Sequence, residues 1–100
     1  MATWFVSRHP GAQAWARERG IIADHQVDHL ALEQVSAGDR VLGTLPIHLA
    51  ADVCARGARY IHLTLQIPRE LRGKELSAEE LNQLGASLQA FHVEAITCDV

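Results

Sequence analysis

Two short segments carry the residue types that can grip an anion and move a proton. Ser7-Arg8-His9-Pro10-Gly11 sets a hydroxyl, a guanidinium and an imidazole directly before a proline-led stretch. Pro10 suits the first turn of a helix, where unpaired N–H groups carry about half a positive charge. Arg8 and His9 beside that terminus would add directional donors for phosphate oxygens. Spacing alone fits an ordinary solvated turn as well. Gly43-Thr44-Leu45-Pro46-Ile47-His48 repeats the arrangement, with a strand again handing over to a helix. His48 falls in the first turn, and Asp52 lies one turn on, where it could hold the imidazole or tune it. Such a histidine exchanges a proton near neutral pH, while the plainer reading is a surface His beside a surface Asp.

Other segments offer weaker signals. Tyr60, His62, Thr64 and Gln66 alternate along one face of a strand, followed by the basic residues Arg69, Arg72 and Lys74. That face can be half-exposed, line a groove or pack on a second subunit. His25 and His29 are four apart with carboxylates nearby, but a metal site of the HExxH kind needs a stable helix and a third ligand. No metal site is expected. Cys54 and Cys98 form no CxxC pattern, and two such thiols are more often buried than bridged, so both are expected to be reduced, with Cys54 in the core of a helix and Cys98 near the end of the sequence. No partnered base marks either as a nucleophile.

The elements that must position these groups follow from local pattern. Ala2 to Ser7 is an aromatic and β-branched run that reads as a strand ending at the Arg8-His9-Pro10-Gly11 loop. A helix spans roughly residues 10 to 19 and stops at Gly20. Between 21 and 39, Ile21 to Ala23 and Val27 to Leu32 suit short strands, while Asp24-His25-Gln26 and Ser36 to Asp39 look like turns. Arg40 to Leu45 reads as a buried strand stopped by Pro46, and Ile47, Ala50, Ala51, Val53 and Cys54 recur at helical spacing up to Gly57. Tyr60 to Ile67 alternates as a strand, with Ile61, Leu63, Leu65 and Ile67 on its apolar face. Ser77 and Glu80 form a capping box, and Leu76 with Leu81 a hydrophobic staple, at the start of a helix running to about Ala90. Its buried stripe is Leu81, Leu84, Gly85 and Leu88, and Phe91 to Thr97 returns as the last strand. The alternation predicts an α/β fold: one three-layer Rossmann-like domain over residues 1 to 100, with a mixed or mostly parallel sheet of about five strands and three helices.

Composition narrows the function. The 100 residues, 48% hydrophobic and 21% charged, fit one soluble globular unit. Nine Lys and Arg against 12 Asp and Glu leave a formal charge of -3, which argues against coating duplex nucleic acid. A phosphate ligand must therefore meet a local site. The N-terminus lacks a basic segment followed by an apolar one, and no apolar run approaches the ~18 residues of a spanning helix. A cytoplasmic protein without membrane contact is expected.

A resemblance adds what spacing does not. Thr3 to Ala12, Gly38-Asp39, Gly43-Thr44-Leu45-Pro46 with His48-Leu49-Ala50, and Arg56-Gly57-Ala58-Arg59-Tyr60 resemble a family of small CRISPR-associated accessory proteins of type III systems. Arg72-Gly73-Lys74-Glu75-Leu76-Ser77 is a further block of it. More loosely, Tyr60 to Val93 is similar in layout to the viral anti-CRISPR ring nucleases, in which a homodimer encloses cyclic tetra-adenylate and a His near the start of the central helix assists cleavage. Here Thr44 falls in that register, and His48 lies one helical turn on. The resemblance implies capture or linearisation of cyclic oligoadenylate by a homodimer with no cofactor. A ribose 2'-OH would attack the adjacent phosphorus, giving a 2',3'-cyclic phosphate without need of a metal. It implies Ser7, Arg8, His9, Pro10, Gly43, Thr44 and Leu45 as ligand-binding residues and His48, Thr44 and His9 as catalytic ones. A binding protein that sequesters the ring without cutting it, or a structural subunit, is the alternative.

Overall fold

The computed structural model describes residues 1–98. Strand β1 (Thr3–Val6) runs into helix α1 (Pro10–Glu18), then β2 (His25–Val27), β3 (Arg40–Gly43), α2 (Ile47–Ala55), β4 (Arg59–Thr64), α3 (Ala78–Gln83) and β5 (Ser87–Phe91). The five strands form one sheet in the order β2-β1-β3-β4-β5. The first four are mutually parallel and β5 is antiparallel to β4. Helices α1 and α3 cover one face, where Trp15, Ala16 and Leu81 pack on Phe5, Leu42 and Leu63. Helix α2 covers the other, where Ala50 and Val53 pack on Trp4, Val41 and Tyr60. The α/β expectation thus holds, with alternate residues of each central strand feeding opposite cores.

Four local readings change. β2 occupies His25–Val27, a segment that looks like a turn in isolation. Pairing with β1 overrides that propensity: the Thr3 N–H donates to Asp24 Oδ2 at 2.7 Å, and His25 stacks on Trp4 with ring centroids 4.1 Å apart. Helix α3 is six residues long and stops before Gly85, which takes φ +75°. The Ala86 and Gly85 N–H groups then bond the Leu81 and Asn82 carbonyls, closing the helix in a Schellman arrangement. The same device ends α1 at Gly20 and α2 at Gly57, so Gly85 is a stop and not part of a buried stripe. The last strand accordingly starts at Ser87, earlier than Phe91. β4 ends at Thr64, and Leu65 and Ile67 continue as irregular chain.

Candidate ligand-binding cleft

In this strand order β1 connects outward to β2 in one direction while β3 connects through α2 to β4 in the other, so the connections diverge between β1 and β3. Ligands of open α/β sheets sit at the carboxyl ends of the strands at that point. A cleft of about 660 Å³ opens there, lined by Ser7, Arg8 and His9 from the first corner and Gly43, Thr44 and Leu45 from the second. Its floor is apolar, built from Val6, Leu63, Leu65 and Leu76. Asp28 and His29 after β2, and Lys74 and Glu75 ahead of α3, complete the rim.

The two corners are held by different means. At the first, Ser7 Oγ accepts the His9 N–H at 3.1 Å and the Ser7 carbonyl accepts from Gln13 Nε2 at 3.0 Å. Arg8 and His9 remain exposed. Ser7 keeps its own hydroxyl proton to donate, and the first-turn N–H groups of Gly11 and Ala12 have no acceptor within the helix. Gly11 also admits the chain leading to α3: a Cβ there would coincide with the Leu76 carbonyl.

The second corner is tied into the sheet. Tyr60, 3% exposed, accepts the Leu45 N–H on its hydroxyl at 3.0 Å, and the same hydroxyl lies 3.2 Å from the Gly43 carbonyl and 2.6 Å from His62 Nδ1. Burial raises the phenol above its ordinary pKa, so it stays protonated as a donor. Gly43 has φ +152°, and a Cβ there would sit 2.5 Å from the Val6 carbonyl oxygen, so only glycine lets β3 and β1 close at the switch point. Thr44 Oγ1 donates to the Leu63 carbonyl at 3.0 Å, which commits its proton and leaves only lone pairs for a ligand.

The structure therefore gathers Ser7, Arg8, His9, Gly43, Thr44 and Leu45 around one space, although about thirty-six positions separate the two corners in sequence. Pro10 leads α1 just outside the lining, and His48 lies on the exposed first turn of α2, also outside it. Asp52 is exposed as well. The face of β4 read as polar is largely covered, since Tyr60 is core and His62 is half-buried between Tyr60 and Phe91. Missed by the sequence reading were Tyr60 as the clamp of the second corner and Asp28 and His29 as rim residues. Assigning β2 to His25–Val27 would have found the latter, because the loop after a strand parallel to β1 must emerge at the same edge.

Cys54, expected in the core of its helix, is half-buried, with its Sγ accepting the Val93 N–H at 3.4 Å, and Cys98 is exposed; both are free. Among the described residues no group of three or more His, Cys, Asp or Glu is placed to hold a metal ion, and no helix is long and apolar enough to cross a membrane. Comparison with curated proteins and with solved structures found no match. A family model described as "Putative CRISPR-associated protein (Cas_VVA1548)" matches residues 4–94, a span that includes both corners of the cleft, all but the first residue of β1, and β2 to β5 in full. With most of its length matched, the chain belongs to this family of CRISPR-associated proteins.

Proposed function

We propose that the cleft binds cyclic oligoadenylate, with cyclic tetra-adenylate as the best-fitting ring, and linearises it. The observation that carries the reading is the convergence of Ser7, Arg8 and His9 with Gly43, Thr44 and Leu45 at the switch point, in a chain whose overall charge is negative. Phosphate oxygens accept from Arg8, from the Ser7 hydroxyl and from the first-turn N–H groups of α1. A ribose 2'-OH attacks the adjacent phosphorus in line: the O2'–P bond forms, the P–O5' bond breaks, the 2' proton passes to a base and the 5'-oxygen takes one up. The products are a linear chain with a 2',3'-cyclic phosphate and a 5'-hydroxyl. RNA supplies its own nucleophile, so positioning and charge stabilisation do most of the work.

His9 is the imidazole of choice for the proton steps, since it lines the cleft and sits beside Arg8. His48 reaches scissile chemistry only if a second protomer presents it. A ring of four identical nucleotides has two-fold symmetry, so a C2 homodimer with facing clefts completes the site and doubles its cations. Sedimentation showing a monomer both with and without ring would count against the dimer.

A second reading, capture of the ring without cleavage, is favoured by the Thr44 hydroxyl being committed to Leu63 and by the position of His48. A single-turnover assay with labelled cyclic tetra-adenylate in EDTA separates the two. Linear product ending in a 2',3'-cyclic phosphate supports the nuclease, and intact ring recovered from a tight complex supports capture. No heat and no complex with cyclic tri-, tetra- or hexa-adenylate sinks both.

A further inference from the structure

The opposite end of the sheet carries charge that the cleft does not use. β3 and β4 pair in parallel with Arg40 directly beside Arg59, so the two side chains leave the sheet on the same face. β5 ends at Phe91, which pairs with Tyr60, so His92 leaves the sheet at the end where Arg59 opens β4. All three line a second hollow of about 610 Å³. Adjacent strands lie about 4.8 Å apart, and like charges directly opposite each other destabilise a sheet. The spacing is also fixed: the Arg40 N–H donates to the Ala2 carbonyl at 2.9 Å and the Arg59 N–H to the Asp39 carbonyl at 2.8 Å. Both arginines and His92 are exposed. Asp39 is the one carboxylate among the described residues lining the hollow, and its oxygens already accept from Ala2, Ser36 and Trp4. An anion held between the two guanidiniums would relieve that pairing, which no free carboxylate among the described residues lining the hollow does.

We propose that Arg40, Arg59 and His92 form a second anion site that takes a phosphoryl group, such as the terminal phosphate of a nucleotide or the 5'-phosphate of an RNA strand. Two guanidiniums side by side can each bond two oxygens of a phosphate or share a pyrophosphate between them. The site stands apart from the cleft and does not rest on the cyclic oligoadenylate reading.

Calorimetric titration of the full chain with pyrophosphate tests it, with ATP and a short RNA carrying a 5'-phosphate or a 5'-hydroxyl as further arms. Binding of pyrophosphate is expected, at least tenfold weaker in the Arg40→Gln/Arg59→Gln variant than in the native chain. Preference for ATP identifies a nucleotide as the source, and preference for 5'-phosphorylated over 5'-hydroxyl RNA identifies a strand end. Thermal melting without phosphate should leave the double variant as stable as the native chain or more so, because a repulsion is removed. The proposal is overturned by undetectable pyrophosphate binding, by unchanged affinity in the double variant, or by a lowered Tm showing that the arginines are held by internal contacts.

Discussion

At the N-terminal end of the strands, Asp39 is 5% exposed and spends its carboxylate inward, accepting from the Ala2 N–H at 2.9 Å, the Ser36 N–H at 3.0 Å and Trp4 Nε1 at 3.1 Å. At the C-terminal end, Arg8, His9 and Thr44 are exposed around a cleft, and Tyr60 and Gly43 hold the corner from beneath. One end uses a single polar side chain to join β1, β3 and the turn between Ser36 and Asp39. The other supports its backbone from the core and leaves its charges to solvent. Polar groups saturated by the chain serve the fold, and those aimed at water remain available to a ligand.

Five substitutions and one acid titration break or sharpen that contrast. The largest effect falls on chemistry: if the ring is cut, His9→Ala should slow single-turnover cleavage by roughly 10² to 10⁴ while binding changes little, as loss of a general acid or base does. His48→Ala should cost less than that in the same assay, and the reverse order would place the proton donor across a dimer. Tyr60→Phe comes next, because it removes the acceptor of the Leu45 N–H. Urea unfolding should show a loss of about 1 to 3 kcal/mol, with ring affinity falling as well, since this residue serves both the core and the corner.

Arg8→Ala should weaken ring binding by about 1 to 3 kcal/mol in calorimetry and leave the unfolding midpoint in place. A drop in stability matching that of Tyr60→Phe would mean that Arg8 serves the fold and is not left free for a ligand. Ring affinity changes least at Asp39, which lies outside the cleft and whose carboxyl is held at about 2 against an ordinary 3.8, first by the Ala2 N–H, then by the Ser36 N–H and Trp4. A depressed pKa stabilises above the unfolded value and loses that contribution as pH falls toward the folded one. Denaturation midpoints should therefore decline between about pH 4 and pH 2, and Asp39→Asn should flatten the decline. An unchanged slope would mean that other carboxylates govern acid unfolding.

Much of the local structure is legible in the residues. Pro10 and Pro46 mark two helix starts, Ser77 and Glu80 a third, and Gly20 and Gly57 two helix ends. Gly85 has the same role and escapes notice because the apolar spacing of Leu81, Leu84 and Leu88 runs across it. Leu84 and Leu88 do pack against one core, but from two elements, so a period of four is mimicked by a helix, a turn and a strand. Tyr60 misleads in a different way: a hydroxyl on an alternating strand reads as polar, whereas the ring is buried and only the oxygen finds partners.

Residue types and spacing by themselves determined the α/β alternation, the two anion-suited strand-to-helix corners and the residues within each, because caps, turns and periodicity act over a few positions. Only the tertiary structure decided that both corners share one cleft, that Asp28, His29 and Lys74 join them, and that Arg40 stands beside Arg59. Parallel strand pairing is non-local: the backbone bonds that set which strand lies next to β1 are the same for any sequence, and the choice emerges from packing both faces of the sheet at once.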